Sequence, residues 1–558
     1  MKVLKNSLKK SEYSTNFFTN DDTLLKILKE KLPQEFYEYA VERLTAYGEK
    51  CAGEIDERAK YTDREGQPVL KQYDKYGEEI YEVWVNSGYE QTVKESYGTG
   101  MVGYVHKEIP ELKEKGNYLY SYSLGYLVSQ TEPGFYCPVT LSMATAYLLE
   151  HYGDNDVKER FLPHVCATGD IELYEGATFL TERQGGSDVG ANAVKAVKNG
   201  NHYRLYGEKY FASNAGKCGV AMVLARKEGA PEGTRGLTLF AVPWNKEDGR
   251  PNHLRVRRLK DKLGVRAVPS GEVEFQGSVA YAVGDESRGF YYMMEALNLS
   301  RICNAVASIG IMKRAYEEAR QYAEARHAFG QSLLQLPMIR KTLAQLKAKL
   351  EVEVATVFDL IHLYDKVVAG EASETEVVLH RLYIALLKKE TAEMAIHFAH
   401  EAIEMHGGNG YIEDFVTPRL LRDAQVLTVW EGTANILGQE LIRLVNKFSA
   451  QQIFINEMVD RLSILEKTDN VFAVEKELER IAEQLQQFSN AESITQQVEA
   501  KPLMQKMAYL YESIVALEWA QKYKGKYESL ADIYIETTWK TNQFAQSQKA
   551  VELAGDVL

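Results

Sequence analysis

The sequence predicts an α+β protein in which a helical N-terminal region is followed by an antiparallel β-domain, a four-helix bundle and a helical tail. Three observations predict this order. Apolar residues recur at helical spacing before residue 176 and after residue 287, and the segment between them consists of short strand-like runs separated by Gly and Pro. The regular strand–helix alternation of a doubly wound α/β fold does not occur. The domain boundaries that follow are 1–176, 177–286, 287–448 and 449–558.

The N-terminal region is expected to be mainly helical. Residues 23–51 carry apolar side chains three and four positions apart, with Pro33 as a boundary between two helices. A polar stretch at 52–75 indicates a loop. Residues 138–165 indicate a helix, a Gly-Asp turn and a short helix that Pro163 ends.

The middle region has the pattern of an antiparallel β-domain. Residues 198–213, KNGNHYRLYGEKYFAS, place an Asn-Gly turn between two runs rich in strand formers, which predicts a hairpin. The runs GVAMVLARK, GLTLFAVPW and GEVEFQGSVAYAV follow at short intervals. Several short strands at this spacing favour one β-domain up to about residue 285.

The rest of the chain returns to helical spacing. Four long amphipathic segments with short Gly- or Pro-bearing links predict an antiparallel four-helix bundle; they are 288–325, about 337–367, 374–405 and 418–447. A tail at 451–558 is also helix-like, and it carries 11 basic and 17 acidic residues, a net charge of 11 − 17 = −6.

Composition excludes several classes of protein. The chain has 558 residues with 66 basic and 79 acidic side chains, and a net charge of −13 argues against duplex nucleic acid as the main partner. Five scattered cysteines without a CxxC pair argue against a disulfide framework and favour a reducing, cytoplasmic location. No secretory signal and no membrane span are expected, because the most hydrophobic stretch, 303–312, is too short.

Two motifs are expected to be decoys. GTGMVG at 98–103 matches a dinucleotide fingerprint, but no strand precedes it, so a turn is favoured. His397, His400 and His406 lie near one helix end, yet a di-metal bundle would need a second Glu-x-x-His copy that the sequence lacks. Ordinary packing is favoured, and no metal is expected.

Two segments contain residue types that could contact a phosphate group or a planar ring of a ligand. In FLTERQGGSDVG (179–190), Thr181, Gly185, Gly186 and Ser187 would allow a planar or phosphorylated ligand to approach the backbone, although for this segment alone a tight Gly-Gly turn is favoured. In ARHAFGQSL (325–333), Arg326 could pair with phosphate or could cap a helix end.

A third segment, EMHGGNGYIEDFVTPRLLRDAQVLTVWEGTANI (404–436), contains a candidate base. Glu431 stands between a Trp and a Gly in an otherwise apolar run, where partial desolvation suits a general base. The alternative is a Glu in the first turn of the next helix.

The order and spacing of these segments, with GEKYFASNAG and KLGVRAVPSGEVEF between them, resemble the acyl-CoA dehydrogenase flavoprotein family from about residue 135 to 445. The resemblance implies that FAD is the cofactor. Arg326 and Phe329 would reach the FAD of a neighbouring subunit, so a homodimer or homotetramer is expected. The cofactor-binding positions that it implies are Leu180, Thr181, Gly186, Ser187, Phe211, Ser213, Arg326, Phe329, Glu404, Gly407, Gly408, Thr433 and Asn435.

The resemblance also implies the reaction. Glu431 falls on the family's catalytic base, and Arg301 matches an arginine packed near that base. One branch of the family places its base on the first bundle helix, but residues 297–300 here are Leu, Asn, Leu and Ser. Glu431 would therefore remove the α-proton of an acyl-CoA while a β-hydride passes to flavin N5, which leaves a trans-2-enoyl thioester. Ser187, Trp430 and Gly432 would contact the substrate.

Departures from the familiar pattern point to a branch. The flavin loop has Thr-Glu-Arg where familiar members have Thr-Glu-Pro, and Phe211 replaces a Trp. With the long N-terminal region and tail, the chain looks more like the alkylation-response (AidB-like) branch. That branch is reported to bind DNA through a basic C-terminal domain, whereas this tail is acidic, so nucleic acid is not expected.

Three functions stay open at this stage. The favoured one is an acyl-CoA dehydrogenase that passes electrons to an electron-transfer flavoprotein. The others are an alkylation-response-type flavoprotein that binds DNA with little turnover, and an oxygen-using acyl-CoA or nitroalkane oxidase on the same fold.

Overall fold

The structure, a computed structural model, describes residues 15–540 and 548–558. Eighteen α-helices occur in these residues. They are α1 Asp22–Lys31, α2 Gln34–Lys50, α3 Asp56–Arg64, α4 Ser87–Tyr97, α5 Tyr118–Ser129, α6 Pro133–Tyr152, α7 Asn155–Val165, α8 Gly289–Ala325, α9 Pro337–Val368, α10 Glu374–His406, α11 Thr417–Leu427, α12 Ala434–Phe448, α13 Ala450–Ser463, α14 Asp469–Ser489, α15 Ser493–Tyr523, α16 Lys526–Trp539, α17 Gln548–Glu552 and α18 Ala554–Val557.

Thirteen strands accompany the helices in the same residues. They are β1 Val69–Tyr73, β2 Glu79–Trp84, β3 Glu108–Ile109, β4 Glu114–Lys115, β5 Gly176–Phe179, β6 Lys195–Asn199, β7 His202–Ser213, β8 Val220–Lys227, β9 Leu237–Pro243, β10 Leu254–Leu259, β11 Ser270–Ala282, β12 His327–Ala328 and β13 Gln331–Ser332. Within the described chain, no helix is both long enough and apolar enough to cross a membrane.

The chain divides into two compact units, one formed by Glu42–Cys303 and the other by Met1–Val41 with Asn304–Leu558. The middle of the first unit is a seven-stranded sheet in the order β10-β11-β7-β6-β8-β5. Strand β9 pairs with both β8 and β11, which closes five of the strands into a ring. Side chains such as Phe179, Leu205, Val223, Phe240 and Phe275 fill its core.

The expected middle β-domain is present, but its sheet is mixed. Strands β6 and β7 form the hairpin that the Asn-Gly turn predicts. Strand β8, however, runs parallel to both β5 and β6. The pattern of short runs does not specify strand direction, so the expectation of an antiparallel sheet throughout was wrong at these two pairings.

The helical N-terminal region also differs in detail. Helices α1 and α2 meet at Pro33, as expected. The polar stretch at 52–75 is not a loop, because it contains α3 and strand β1, which pairs with β2 as a surface hairpin. Helix α7 runs past Pro163 to Val165. Helix α3 is polar because its outer face is exposed, which hid it from the sequence pattern.

The second unit contains a helical bundle and the helical tail. Helices α8, α9 and α10 match three expected segments. The fourth segment, 418–447, was expected to be one helix and is two, because α11 ends at Leu427 and α12 begins at Ala434. In the tail, α15 packs against α9, α10 and α12, so the tail covers the bundle rather than extending from it. Its central turns, from Leu510 to Leu517, are completely buried.

Candidate functional site

The candidate flavin loop is a tight turn that follows β5. Gly185 N donates to Glu182 O at 3.0 Å, and Gly185 has a φ of +127°, which favours glycine. A Cβ atom on Gly186 would lie 2.5 Å from Thr181 Oγ1. Both glycines are therefore needed for the chain to fold back over Thr181, and the turn leaves Ser187 exposed.

The end of β7 lies beside this turn. Tyr210 N donates to Thr181 O at 2.9 Å, which brings the two segments together. The next residue, Phe211, has 55% of its surface exposed, and Ser213 Oγ lies 3.1 Å from Ser270 Oγ on β11. The structure thus brings together the predicted residues of this turn and of the end of β7, which combine an exposed aromatic ring, hydroxyls and a small-residue turn.

A buried ion pair that the sequence patterns did not indicate lies within the same turn. Glu182 Oε1 and Lys209 Nζ are 2.8 Å apart, and their side chains are 5% and 0% exposed. Burial lowers the pKa of Lys209 to about 8, and the carboxylate of Glu182 opposes that shift. Lys209 faces inward in the same alternation as Tyr203 and Leu205 on β7, but lysine is rarely buried, so the sequence pattern did not indicate its burial.

Arg301 belongs to the part of α8 that lies in the first unit. It is 4% exposed, and its Nη1 donates to Asn298 Oδ1 at 3.1 Å, one turn earlier on the helix. The adjacent Ser300 and Leu299 are also buried.

The candidate base lies in the break between α11 and α12. Glu431 has a φ of +59° and Gly432 a φ of +104°, so two successive residues adopt left-handed conformations and the helix cannot continue. Strain of this kind in a non-glycine residue is enriched at active sites. Glu431 is half-buried, and it is not in the first turn of α12, which excludes the alternative interpretation.

Two side chains hold this break from the neighbouring helices. Lys388 on α10, which is 1% exposed, donates from Nζ to Gly432 O at 2.7 Å. Asn304 on α8 donates from Nδ2 to Leu427 O at 3.1 Å. The sequence patterns did not identify Lys388. Its position directly after the apolar run 382–387 was the one indication that it is buried. Trp430, Thr433 and Asn435 flank the break, and Thr433 occupies the position before the first turn of α12.

The other predicted residues of the second unit gather at the far ends of α8 and α10. Asn409 Nδ2 donates to Tyr322 OH at 3.2 Å, which joins the turn after α10 to the last turn of α8. Helix α10 ends at His406, the next residue, Gly407, has a φ of +59°, and a Cβ atom on Gly407 or Gly408 would meet no atom within 4 Å. Packing therefore does not explain the absence of side chains at these two positions, and the space beside them is open.

Three exposed predicted residues lie at or just after these ends of α8 and α10. Arg326 follows α8 directly and is exposed, and Phe329 at the tip of the β12–β13 hairpin is 89% exposed with a φ of +53°. Glu404 Oε1 lies 3.9 Å from His400 Nε2 on the surface of α10. Arg326, Phe329, Glu404, Gly407 and Gly408 therefore all belong to the helix ends that the Asn409–Tyr322 hydrogen bond joins.

These helix ends are distant from the candidate base. Lys388, which contacts Gly432, and Gly407 are separated by 407 − 388 = 19 positions along α10. At about 1.5 Å per residue, that separation is roughly 28 Å along the helix axis. The two groups of predicted residues in this unit thus belong to different ends of the same bundle.

Models of known protein families match three successive parts of this chain. Residues 287–445 match the model of the acyl-CoA dehydrogenase C-terminal domain, and 177–278 match that of the acyl-CoA dehydrogenase middle domain. Residues 9–169 match the adaptive response protein AidB N-terminal domain.

Individual relatives agree with these matches. Acyl-CoA dehydrogenase family member 11 of Caenorhabditis elegans is 30% identical over 82% of this chain and 75% of its own length. The putative acyl-CoA dehydrogenase AidB of Escherichia coli is 33% identical over 58% of this chain and 59% of its own length. A crystal structure of Caenorhabditis elegans ACDH-11 in complex with C11-CoA superimposes with a TM-score of 0.86 at 27% identity, over 93% of this chain and 90% of that one.

Proposed function

The chain belongs to the acyl-CoA dehydrogenase family, and on that premise we propose that it converts an acyl-CoA thioester to the trans-2-enoyl thioester with Glu431 as the base. It is an enzyme of this family, and FAD is its cofactor. The observation that carries the proposal is the strained break at Glu431, which Lys388 and Asn304 hold in place.

The residues present fit FAD. The turn at Leu180–Ser187 folds back only because Gly186 has no Cβ, and the exposed ring of Phe211 next to it suits contact with a planar ring system. Arg326 can pair with a pyrophosphate, and the open space at Gly407 and Gly408 would admit an adenosine moiety. Bound FAD would supply the acceptor for the hydride that leaves the β-carbon.

The chain itself supplies the acid–base chemistry. The carboxylate of Glu431 would take the α-proton of the thioester, and the backbone N–H of the same residue would polarise the thioester carbonyl. The hydrogen bond from Lys388 to the carbonyl of Gly432 fixes the backbone that orients that carboxylate. Trp430 and Gly432 would line the approach of the substrate, with Ser187 as a further contact. Arg301 is proposed as a catalytic-site arginine on the family pattern.

The separation of the two groups of predicted residues in the bundle supports an oligomer. One flavin that touches Thr433 and Asn435 cannot also be near Gly407, about 28 Å further along α10. Arg326, Phe329, Glu404, Gly407 and Gly408 would then serve the cofactor of a second copy, so a homodimer or homotetramer is part of the proposal.

The test is anaerobic reduction of the holoprotein by a panel of acyl-CoA thioesters, with C11-CoA included because the related ACDH-11 was crystallised with it. Loss of the oxidised flavin absorbance with at least one thioester is expected. A flavin that stays oxidised with the whole panel would contradict the proposal. Electron transfer to an electron-transfer flavoprotein is expected, and oxygen consumption without an added acceptor would instead assign an oxidase.

A second function has one observation in its favour, the match of residues 9–169 to the AidB N-terminal domain. This candidate is a flavoprotein that binds duplex DNA with little turnover. The net charge of −6 on residues 451–558 opposes it. Duplex binding that weakens steeply with salt, together with a flavin that no thioester reduces, would favour it over the dehydrogenase.

A further inference from the structure

An unassigned ion pair lies inside the turn that presents the predicted flavin contacts. Glu182 follows Thr181 directly, and Lys209 precedes Phe211 by two positions, so the pair joins the two segments that carry those contacts. The side chains are almost completely buried. By contrast Arg183, the next residue along, pairs with Glu208 at the surface and is 59% exposed. The burial of one pair beside the exposure of the other suggests different roles.

Both members of the ion pair also form hydrogen bonds with backbone groups. Glu182 Oε2 accepts from Ala193 N at 2.6 Å, and Glu182 Oε1 accepts from Val194 N at 3.2 Å. Lys209 Nζ donates to Leu180 O at 3.2 Å as well as to Glu182. Three separate segments, the turn, the entry to β6 and the middle of β7, are therefore joined through two side chains.

Other hydrogen bonds complete the same network. Asn192 Nδ2 donates to Leu180 O at 2.9 Å, and Tyr210 N donates to Thr181 O at 2.9 Å. The two carbonyl groups that precede Glu182 are thus fixed from inside the protein. A buried ion pair adds little stability over an apolar pair of similar size, but a fully hydrogen-bonded one holds a defined geometry.

We infer that Glu182 and Lys209 are positioning residues for FAD: they set the spacing between the turn at Leu180–Ser187 and Phe211, so that the flavin-facing surface is formed before the cofactor binds. This inference rests on the proposed function and names the groups that preorganise its cofactor site. Neither residue needs to touch FAD for this role, because both act through the backbone of the turn.

The test measures FAD affinity of the apoprotein by quenching of flavin fluorescence. Glu182→Gln and Lys209→Met each leave a buried partner without its counter-charge. We expect the affinity for FAD to fall by about tenfold to a hundredfold, the range seen in metal sites when a group that orients a metal ligand is removed. Arg250→Gln, which removes the exposed Arg250–Asp248 pair elsewhere in the same β-domain, is the matched control and is expected to bind FAD like the wild type.

The double variant Glu182→Gln/Lys209→Met separates positioning from stability, because it leaves no charge unpaired. Weak FAD binding in a double variant whose circular dichroism matches the wild type is expected. Wild-type FAD affinity in the double variant would overturn the inference. If the single variants do not fold, the double variant alone tests the inference. A wild-type chain that binds no FAD would refute the proposed function instead.

A measurement on the wild type alone gives an independent answer. If the site is formed beforehand, the amides of Ala193 and Val194 are already protected from hydrogen exchange in the apoprotein, because they donate to Glu182. Fast exchange at both amides before FAD is added would overturn the inference, whatever the variants show.

Discussion

Three buried carboxylates share one ammonium group where the tail packs on the bundle. Lys349 Nζ lies 2.9 Å from Glu353, 2.9 Å from Glu390 and 2.7 Å from Glu512, and all three carboxylate side chains are fully buried. Tyr534 on α16 donates to Glu512. The perturbation is Glu353→Gln, which replaces a carboxyl group by a neutral group of the same shape.

The magnitude follows from proton linkage. Burial, with help from the neighbouring carboxylates, raises the pKa of Glu353 to about 8 from an ordinary value of 4.5. Between these values the folded chain keeps a proton that the unfolded chain releases, so this group makes the fold less stable as pH rises. Each pH unit costs about 1.4 kcal/mol. From about pH 6 to about pH 8, where the folded group is half ionised, the loss is about 2 kcal/mol.

The assay is urea unfolding followed by circular dichroism at both pH values. Since the amide introduced by Glu353→Gln cannot ionise, we expect this variant to be more stable than the wild type at about pH 8, and its advantage to shrink by about 2 kcal/mol at about pH 6. Glu483→Gln on the exposed face of α14 is the control, with no pH-dependent difference expected. An equal difference at both pH values, or a less stable Glu353→Gln at about pH 8, would refute the reasoning.

Three further predictions concern the cofactor and the base. Lys388→Met removes the hydrogen bond to Gly432 O, and we expect a turnover number about tenfold lower at unchanged flavin content, measured by dye reduction. Gly186→Ala would place a Cβ atom 2.5 Å from Thr181 Oγ1, so FAD should bind about tenfold more weakly or more in a fluorescence titration. Arg326→Gln should weaken FAD binding and reduce its dependence on salt, as the loss of one phosphate contact requires.

Secondary structure could be predicted from the sequence where a residue pattern is typical of a single kind of element. Helical periodicity located α8, α9 and α10, and the Asn-Gly turn located the β6–β7 hairpin. The parallel pairing of β8 with β5 and β6 could not be predicted, because partner and direction depend on contacts between residues distant in sequence. Helix α3 was missed since its exposed residues carry no apolar stripe.

The candidate site shows the same limit. The types and spacing of Glu431, Phe211 and the glycines identify the family, but they do not show which neighbours hold them. Two successive positive φ angles divide the expected fourth helix at Glu431, and a pattern of apolar residues cannot reveal a backbone conformation. Lys388 and Lys209 were missed for a related reason, since lysine is rarely buried and each depends on a partner far away in the sequence.

The most direct test of the account compares wild type and Glu431→Gln in an anaerobic stopped-flow experiment with C11-CoA or the thioester that reduces the wild type fastest. Both proteins are expected to carry FAD and to bind the thioester, with Glu371→Gln, an exposed carboxylate in the link before α10, as the control. The account predicts that the rate of flavin reduction falls by about a hundredfold to ten-thousandfold in Glu431→Gln, the range for loss of a general base. Reduction of the Glu431→Gln flavin at the wild-type rate would contradict it.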